Sequence, residues 1–237
     1  MLDNFGTGPE AVRVIAYDNE KLVFPNDPTA SAIRVAHMIA DIGPLDIYVE
    51  GELVDQNISF QEVGMIKEVT PGDRAFSITS AGNPNEIILQ ETLAVSPGDF
   101  HTVALINSME EPIAVKNTDS FRRIPQNMTL TISNYSANAA DVSIFVLEPG
   151  EDLSDSFPIT QQRFGQTTVN TLPENNYEIF VYNPLSNTLL AGPLLLAASG
   201  KALYRIYIAD QIDPSLPIKL LLGDDLDPPF EPSINRN

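Results

Sequence analysis

Apolar residues along the chain alternate with polar ones in short runs. The clearest runs are Val12, Val14 and Ala16, then Ile33 and Val35, then Leu45, Ile47 and Val49, and then Phe76 and Ile78. Each spans roughly four to eight residues and is closed by Pro, Gly, Asn or Asp, as half-buried β-strands are. No window keeps helical apolar spacing for more than about two turns. With 19 prolines and 13 glycines spread between the runs, the pattern predicts an all-β sandwich.

The pattern occurs twice along the chain. Residues 33–49, IRVAHMIADIGPLDIYV, align without a gap on residues 130–146, LTISNYSANAADVSIFV, at an offset of 97. Further on, LAVSPGDFHTVALI aligns with LAASGKALYRIYI at an offset of 102, which pairs Gly98 with Gly200. A repeat of this length indicates two copies of one domain. We therefore predict two tandem Ig-like antiparallel β-sandwich domains, over residues 29–118 and 119–223, followed by an acidic tail over 224–237.

Residues 1–28 are predicted to be a separate N-terminal hairpin. Within them, VRVIAYDNEKLVFPND resembles the closing part of each repeat: an alternating strand, an acidic turn and a second short strand. The sequence thus predicts a hairpin like the one that ends a further repeat. An isolated two-stranded hairpin is marginal in water. We therefore expect it to follow a preceding domain, or to pair with a sheet edge of residues 29–118 or of a neighbouring chain; the alternative is an extra strand pair of the first domain.

Two stretches of the first repeat resemble a known family. IRVAHMIADIGPLDIYVEGELV and ISFQEVGMIKEVTPGDRAFSITSAG are similar to the bacterial and archaeal domain of unknown function 4397, and the resemblance extends more weakly to the second repeat. MIADIGP lacks the usual Ser-Pro of the family, and TPGDRAF stands where Gly-Thr-Tyr is more typical. The resemblance implies exported, often lipoprotein-like, Ig-like modules in tandem, and it supplies no catalytic residues.

Charge and composition exclude several classes of function. The chain has 13 basic and 32 acidic residues, for a formal charge of −19, which repels nucleic-acid backbones and anionic lipid surfaces. It has no cysteine, which excludes disulfides, thiolate nucleophiles and cysteine metal sites. No apolar run approaches the roughly 18 residues of a membrane span. The start, MLDNFGTGPE, lacks signal-peptide features, so the expected extracytoplasmic location assumes a trimmed signal sequence.

The chain has only two histidines, His37 and His101. His37 shares the phase of Ile33 and Val35 at a strand end, and the repeat aligns it with Asn134. Both residue types donate and accept hydrogen bonds, whereas asparagine cannot shuttle protons, so His37 is predicted to tie a turn rather than to react. His101 aligns with Leu203 and is interpreted as a strand residue whose place an apolar side chain could take. Two histidines on separate strands are too few for a zinc site or a His-based triad.

Carboxylate clusters are the remaining candidates for chemistry. They are Glu50 with Glu52, Glu148 with Glu151 and Asp152, and Asp224 with Asp225 and Asp227. A glycosidase needs two converging carboxylates and usually aromatic platforms, but the chain has no tryptophan. Calcium is a weak candidate at Asp224, Asp225 and Asp227, although no EF-hand pattern occurs.

AASGKAL departs from a phosphate-binding loop at Leu195 and Ala202, and a turn is predicted there instead.

Tyr135, Tyr177 and Tyr182 lie in the second repeat, where they could form a glycan-stacking face or pack half-buried. Packing is the favoured interpretation. Without a catalytic constellation, the sequence predicts a non-enzymatic exported or cell-surface module that acts as a spacer, adhesion or protein-interaction unit. The alternative is a carbohydrate-binding module. No cofactor is expected apart from the weak calcium candidate, and the predicted partner is a protein or a glycan, not a nucleic acid.

Overall fold

The structure is a computed structural model that describes residues 16–18, 21–23, 30–119, 123–213 and 215–223. The chain divides into two compact units, Met1–Phe121 and Arg122–Asn237, and their boundary falls inside NTDSFRRIPQN, residues 117–127. In the described residues the single helical element is a 3-10 turn, Leu153–Asp155. No helix there is long and apolar enough to cross a membrane. The all-β prediction is confirmed.

The described residues of unit 1 form ten strands: β1 Ala16–Asp18, β2 Lys21–Val23, β3 Ser31–His37, β4 Leu45–Val49, β5 Glu52–Ile58, β6 Lys67–Val69, β7 Gly72–Ser80, β8 Ile87–Val95, β9 Phe100–Asn107 and β10 Pro112–Thr118. Sheet 1a has the order β10-β9-β3-β6, and sheet 1b has the order β5-β4-β7-β8. Their facing side chains form one apolar core, which includes Ile33, Val35, Ile47, Phe76 and Val103. The alternation predicted from the sequence thus places these residues in the core.

In the part of unit 2 that the structure describes there are eight strands: β11 Asn127–Asn134, β12 Asp141–Leu147, β13 Thr160–Arg163, β14 Thr167–Pro173, β15 Asn176–Tyr182, β16 Leu189–Ala197, β17 Leu203–Ala209 and β18 Lys219–Gly223. Sheet 2a has the order β14-β11-β17-β18, and sheet 2b has the order β13-β12-β15-β16. Sheet 2a, taken from its other end as β18-β17-β11-β14, has the order of sheet 1a with each strand replaced by the equivalent strand of the second copy. Sheet 2b has the order of sheet 1b in the same way. The two units are therefore two copies of one sandwich.

Strand register gives the equivalences between the units residue by residue. Ile33 pairs with His101, and Leu130 pairs with Tyr204. Since Ile33 and Leu130 are aligned in the repeat, His101 is equivalent to Tyr204. The prediction that aligned His101 with Leu203 is wrong by one residue, because the connections before β9 and β17 differ in length by one residue.

One strand pair in each unit departs from the predicted antiparallel arrangement. β3 pairs in parallel with β9, and β11 pairs in parallel with β17. Every other described pair is antiparallel. The strand that opens each sandwich, β3 or β11, lies beside the first strand of its closing hairpin, β9 or β17, in the same sheet. The strands of sheet 1b or 2b stand between these two strands in the sequence. Such a pair requires a long crossover, and the intervening strands provide it.

The four strands of these parallel pairs are buried on both faces. All seven residues of β3 and of β17 are buried, and only one terminal residue each of β9 and β11 is partly exposed. Alternation had indicated one polar, solvated face on each strand. Here the outward positions hold small, aromatic or hydrogen-bonded residues instead, such as Ala32 and Ala36 in unit 1 and Ser133 and Tyr207 in unit 2.

The N-terminal hairpin and the C-terminal tail are described only in part. β1 and β2 pair antiparallel with each other, with Tyr17 opposite Leu22, as a sheet of two strands. The strand pair predicted within residues 12–27 is therefore present in the backbone. Its docking to a sheet edge, a neighbouring chain or a preceding domain stays a prediction. The predicted acidic tail, residues 224–237, lies outside the described residues.

Candidate functional site

His37 ties the loop that follows β3. Its side chain is fully buried; Nδ1 accepts a hydrogen bond from the Ile39 amide at 3.4 Å, and Nε2 lies 3.2 Å from the Gly43 carbonyl oxygen. This geometry assigns the neutral tautomer with its proton on Nε2. Burial lowers the pKa of His37, and the Gly43 carbonyl opposes that shift. The neutral ring is thus the form that fits this loop.

Asn134 performs the same task in unit 2. Its Nδ2 donates to the Ala139 carbonyl at 2.8 Å, and its Oδ1 accepts from the Ser136 amide at 3.2 Å. Asn134 is also fully buried. Since an asparagine and a histidine make equivalent bonds at equivalent positions, the prediction that His37 ties a turn is confirmed.

His101 has a different environment from the one expected. It is buried, its Nδ1 lies 3.2 Å from the Thr118 hydroxyl, and its Nε2 has no hydrogen-bond partner. Burial, aided by Lys116, lowers the pKa of His101. Its equivalent, Tyr204, is not simply apolar: the Tyr204 hydroxyl donates to the Ala197 carbonyl at 3.2 Å. Both positions therefore hold a buried ring with a polar tip.

The carboxylates predicted as pairs bind backbone amides: Glu50 binds one on the neighbouring strand β7, and Glu151 and Asp152 bind amides of their own turn. Glu50 accepts from the Ala75 amide at 2.7 Å, and Glu151 accepts from the Glu148 amide at 2.8 Å. Asp152 accepts from the Ser154 amide at 2.9 Å and begins the 3-10 turn, and its hydrogen bonds to Ser154 lower its pKa. These groups stabilise turns and do not converge on a common point.

The calcium candidates Asp224, Asp225 and Asp227 lie outside the described residues. Within the part of the chain that the structure describes, no group of three or more His, Asp or Glu residues could hold a metal ion. AASGKAL includes the turn that joins β16 to β17, as predicted. There the Gly200 amide donates to the Glu174 carboxylate at 3.0 Å, which leaves an acidic group where a phosphate loop would need an open anion site.

The three tyrosines of unit 2 do not form an exposed aromatic face. Tyr135 and Tyr177 are 1% and 5% exposed, and Tyr182 is partly buried. Tyr135 stacks on Tyr207 with ring centroids 5.7 Å apart, and Tyr182 meets Phe145 edge to face. The packing interpretation is confirmed, and the possible glycan-stacking face is wrong for Tyr135 and Tyr177.

A buried arginine and threonine, not identified from the sequence, occupy adjacent strands in both units. In unit 1, Arg34 on β3 donates through Nε to Thr102 on β9 at 3.0 Å. In unit 2 the same two positions hold Thr131 on β11 and Arg205 on β17. The pair has exchanged strands between the copies, and all four residues are buried. The sequence alignment of the repeats compares β3 with β11 and β9 with β17 separately. It therefore shows an Arg-to-Thr and a Thr-to-Arg difference without showing that the two positions are neighbours.

The loops at one end of unit 2, which we call the distal loops, display apolar side chains. They are residues 135–140, residues 183–188, and residues 210–213 with 215–216. Asp210 joins the first to the third, since its carboxylate accepts from Ser136 Oγ and from the amides of Ala137 and Asn138. Leu185, Ile212 and Leu216 are 92%, 75% and 51% exposed on the second and third.

The turns that carry these apolar side chains are closed by hydrogen bonds. Asn183 Oδ1 accepts from the amides of Leu185 and Ser186 at 2.9 and 3.0 Å. Asp213 Oδ1 accepts from the amide and the hydroxyl of Ser215, and these bonds lower the pKa of Asp213. These bonds fix the backbone that carries the apolar side chains before any partner binds, which reduces the entropy lost on binding.

A crevice of about 430 Å³ opens between the edge strands of the two sheets of unit 2. It is lined by residues 189–194 of β16 and by residues 217–220, which lead into β18. These two segments directly follow the second and third distal loops. Unit 1 has a different opening, beside β5 and β6, whose lining includes Glu52, Asp55 and Lys67. The distal loops and the crevice are therefore the apolar candidate site of the described chain.

Comparison with known proteins gives one family. The model of "Domain of unknown function (DUF4397)" matches residues 31–145, from the start of β3 into β12. No curated protein matches the sequence.

Two solved structures are similar at 9% identity. They are the Bacillus anthracis TIE protein, with a TM-score of 0.26 over 77% of this chain and 34% of that one, and a candidate cell adhesion protein from Bacteroides fragilis NCTC 9343, with a TM-score of 0.20 over 81% and 96%. The chain thus spans about a third of the length of the TIE protein.

Proposed function

Since this chain belongs to the DUF4397 family through residues 31–145, we propose that it is a non-enzymatic exported or cell-surface module whose second unit binds a protein partner. The observation that carries the proposal is the set of apolar side chains held outward on the distal loops, above all Leu185 and Ile212. An exposed apolar group on an ordered turn costs solubility and contributes nothing to the core. Clusters of such groups mark interaction sites.

The polar groups support a structural rather than a catalytic role. His37, Asn134 and Asp210 hydrogen-bond loops next to the strands that carry them. A general acid or base needs a free position toward a substrate. Glu50, Glu151 and Asp152 are exposed, and each accepts a hydrogen bond from a backbone amide. The proposal therefore includes no enzymatic activity for the described part of the chain.

Unit 1 lacks the apolar loop display. The loop equivalent to residues 183–188 is AGNPNE, residues 81–86, which presents polar and acidic groups. Among the described residues at this end of unit 1, the large apolar side chains that are exposed are Met109, in the loop between β9 and β10, and Ile87, the first residue of β8, at 55% and 54%. In the proposal, unit 1 serves as a spacer and unit 2 as the adhesion or interaction unit.

A binding test separates the two units. Beads coated with the full chain are incubated with cells of the source organism, and retained cells are counted. The Leu185→Ser/Ile212→Ser variant is expected to lose most of the retention. The matched control, Leu53→Ser/Ile113→Ser, removes two exposed apolar residues from unit 1 and is expected to keep it. Equal retention by both variants would contradict the assignment of the interaction to unit 2.

The extracytoplasmic location is tested separately, by treating intact cells of the source organism with a protease that does not enter them. We expect the chain to be degraded while a cytoplasmic marker protein stays intact. Survival of the chain until the cells are lysed would contradict an exported location. This test does not depend on which residues bind the partner.

A further inference from the structure

The crevice between β16 and β18 is apolar along almost its whole length. It has a volume of about 430 Å³ and is lined by residues 189–194 and 217–220. Nine of these ten residues have no polar side-chain atom, and the exception is Lys219. Ligand sites in proteins are typically concave, measure roughly 300–1,000 Å³ and are mostly apolar, with a few polar groups that orient the ligand. The crevice has all of these properties.

The wall that β16 contributes departs from a regular strand. β16 pairs with β15 at Ala191 and at Leu194, but the register shifts between these positions, so Gly192 and Pro193 form a bulge. Gly192 has a φ of 116°, and a Cβ added there would lie 2.6 Å from the Ile179 carbonyl oxygen. Glycine is the residue that accepts such a conformation. A bulge bends its strand, and this one lies in the wall of the crevice.

The crevice offers few backbone hydrogen bonds to a ligand. Pro193 and Pro217 have no amide hydrogen, and one of them stands on each wall. The Pro217 carbonyl already accepts a hydrogen bond from the Gln211 side chain. An extended peptide added to β16 would meet a proline at the bulge, where the ladder of hydrogen bonds is interrupted. A ligand of the crevice is therefore held mainly by apolar contact and not by main-chain pairing.

Lys219 places one positive charge at the rim of the crevice. Its side chain is exposed, and its backbone pairs with Ala209. The carboxylate that follows Ala209, that of Asp210, accepts hydrogen bonds from Ser136 and from two amides of the first distal loop. The chain carries −19 in total, but exposed charges more than about 8 Å apart are largely screened at physiological salt. The lining of the crevice therefore favours an anionic group on its ligand.

A single lysine matches a carboxylate better than a phosphate. Its ammonium group carries one charge, as a carboxylate does at pH 7, whereas a phosphate monoester carries about −1.5 to −2. Phosphate sites usually add an arginine fork or the amides at a helix N-terminus. Neither is present among the lining residues that the structure describes. The lining thus fits a molecule with one carboxylate and a long apolar part.

We propose that the crevice of unit 2 binds a fatty acid, with the alkyl chain between β16 and β18 and the carboxylate at the Lys219 ammonium group. Removal of the alkyl chain from water supplies most of the affinity, and the lysine selects the anionic head group and sets its orientation. This function goes beyond the protein interaction proposed for the distal loops, since it has a different ligand and uses different residues.

The probes are hexanoate, octanoate and decanoate, each titrated into the full chain by calorimetry below the concentration at which it forms micelles. Burying one CH₂ group tightens binding by up to about fourfold, so each step of two CH₂ groups should tighten it by at least about fivefold. Decyltrimethylammonium, which has a similar chain and a cationic head, should bind at least about tenfold more weakly than decanoate. No saturable binding of decanoate, no dependence on chain length, or equal affinity for both head groups would overturn the proposal.

The variant Lys219→Glu reverses the charge at the rim. It should weaken decanoate binding by at least about tenfold and strengthen the binding of decyltrimethylammonium. The matched control, Lys201→Glu, reverses the charge of an exposed lysine in the turn between β16 and β17 and should leave both affinities unchanged. Unchanged decanoate binding by Lys219→Glu would overturn the assignment of the carboxylate to this lysine.

The variant Leu189→Asp tests the apolar wall. Leu189 is 45% exposed and lines the crevice, so the substitution should leave the fold intact but should abolish detectable decanoate binding. The matched control, Leu195→Asp, lies on the same strand, is 69% exposed and is outside the lining, and it should keep the binding. Circular dichroism of both variants establishes that they are folded. Equal decanoate binding by the two folded variants would overturn the proposal.

Two further measurements separate the crevice from other apolar sites. The Leu185→Ser/Ile212→Ser variant should bind decanoate as the unchanged chain does, and a loss of binding would place the fatty acid on the distal loops instead. The chain should not co-sediment with phosphatidylcholine vesicles that contain no fatty acid. Co-sedimentation that Leu189→Asp abolishes would assign the crevice to a membrane surface and would overturn the choice of ligand. Cell retention and decanoate binding depend on different residues, so either result can fail without the other.

Discussion

Units 1 and 2 share a strand order and a register, but they differ in where each uses polar groups. In unit 1 a lysine on β10 donates to β8 and the loop of residues 81–86 is polar. In unit 2 a leucine takes the lysine's place, and the loop of residues 183–188 carries the exposed Leu185. The buried loop tie is kept in both, as His37 or Asn134. The difference teaches that the buried loop tie keeps its hydrogen bonds while its residue type changes, whereas the sheet edge and the loops differ in polarity between the units.

The loop ties provide the largest expected effect. Asn134→Leu leaves the buried Ala139 carbonyl and Ser136 amide without their partner, so we expect a loss of about 3 kcal/mol in the free energy of unfolding. His37→Leu should cost a similar amount for the same reason. His37→Asn should cost less than about half as much, because asparagine makes the equivalent bonds in unit 2. Urea unfolding measures all three, and equal losses for His37→Leu and His37→Asn would contradict the equivalence.

The exchanged arginine and threonine provide a somewhat smaller effect. The Arg34 guanidinium lies 5.2 Å from the centre of the Phe100 ring and donates to Thr102, whose hydroxyl in turn lies 2.5 Å from Asp119 Oδ2. Arg34→Thr should cost about 2 kcal/mol. The double variant Arg34→Thr/Thr102→Arg recreates the arrangement of unit 2, and we expect it to recover more than half of that loss. A double variant less stable than Arg34→Thr alone would show that the exchange is not equivalent.

These two cases also show what could be predicted from the sequence. The alternation of Ile33, Val35, Leu45 and Ile47 gave the core of unit 1, and the gapless repeat identified Asn134 as the equivalent of His37. Arg34 was not recognised as buried, because an arginine at an alternating position is the usual sign of a solvated face. Its burial depends on the outer face of sheet 1a being covered, which is a tertiary property.

Other misses have equally local causes. His101 was aligned with Leu203 rather than Tyr204, because pairing the two glycines Gly98 and Gly200 hides a one-residue difference in the following connection. The crevice could not be predicted, since it depends on how the edge strands β16 and β18 of the two sheets approach each other. Only the strand register reveals that Leu222 on β18 stands at the position of Lys116 on β10.

The two histidines make the stability of the units respond differently to pH. Burial lowers the pKa values of His37 and His101, both in unit 1, so the folded state binds fewer protons than the unfolded state. Stability from this source is present above the unfolded pKa of about 6.5 and is lost as the pH falls below it. Unit 2 has no histidine. Between about pH 7 and about pH 5, hydrogen exchange should report a larger loss of protection in β3 and β9 than in β11 and β17.

A matched variant isolates the histidine contribution from the titration of the acidic surface. His37→Asn/His101→Tyr gives unit 1 the residues of Asn134 and Tyr204, and it should remove most of the difference in pH response between the units. If the difference persists in the variant, the carboxylates rather than the histidines cause it.

The smallest effect on stability is expected at the distal loops. Leu185→Ser and Ile212→Ser remove side chains that are mostly exposed, so each should change the free energy of unfolding by less than about 0.5 kcal/mol. Thermal unfolding checks this. A loss comparable to that of Asn134→Leu would mean that these residues stabilise the fold, and the interaction role proposed for them would lose its basis.

The difference between the units is tested most directly by the retention of cells on beads coated with the Leu185→Ser/Ile212→Ser variant or with the Leu53→Ser/Ile113→Ser variant. The account predicts that the change in unit 2 removes most of the retention and that the change in unit 1 leaves it intact. Equal loss in both variants, or a loss confined to the unit 1 variant, would contradict it.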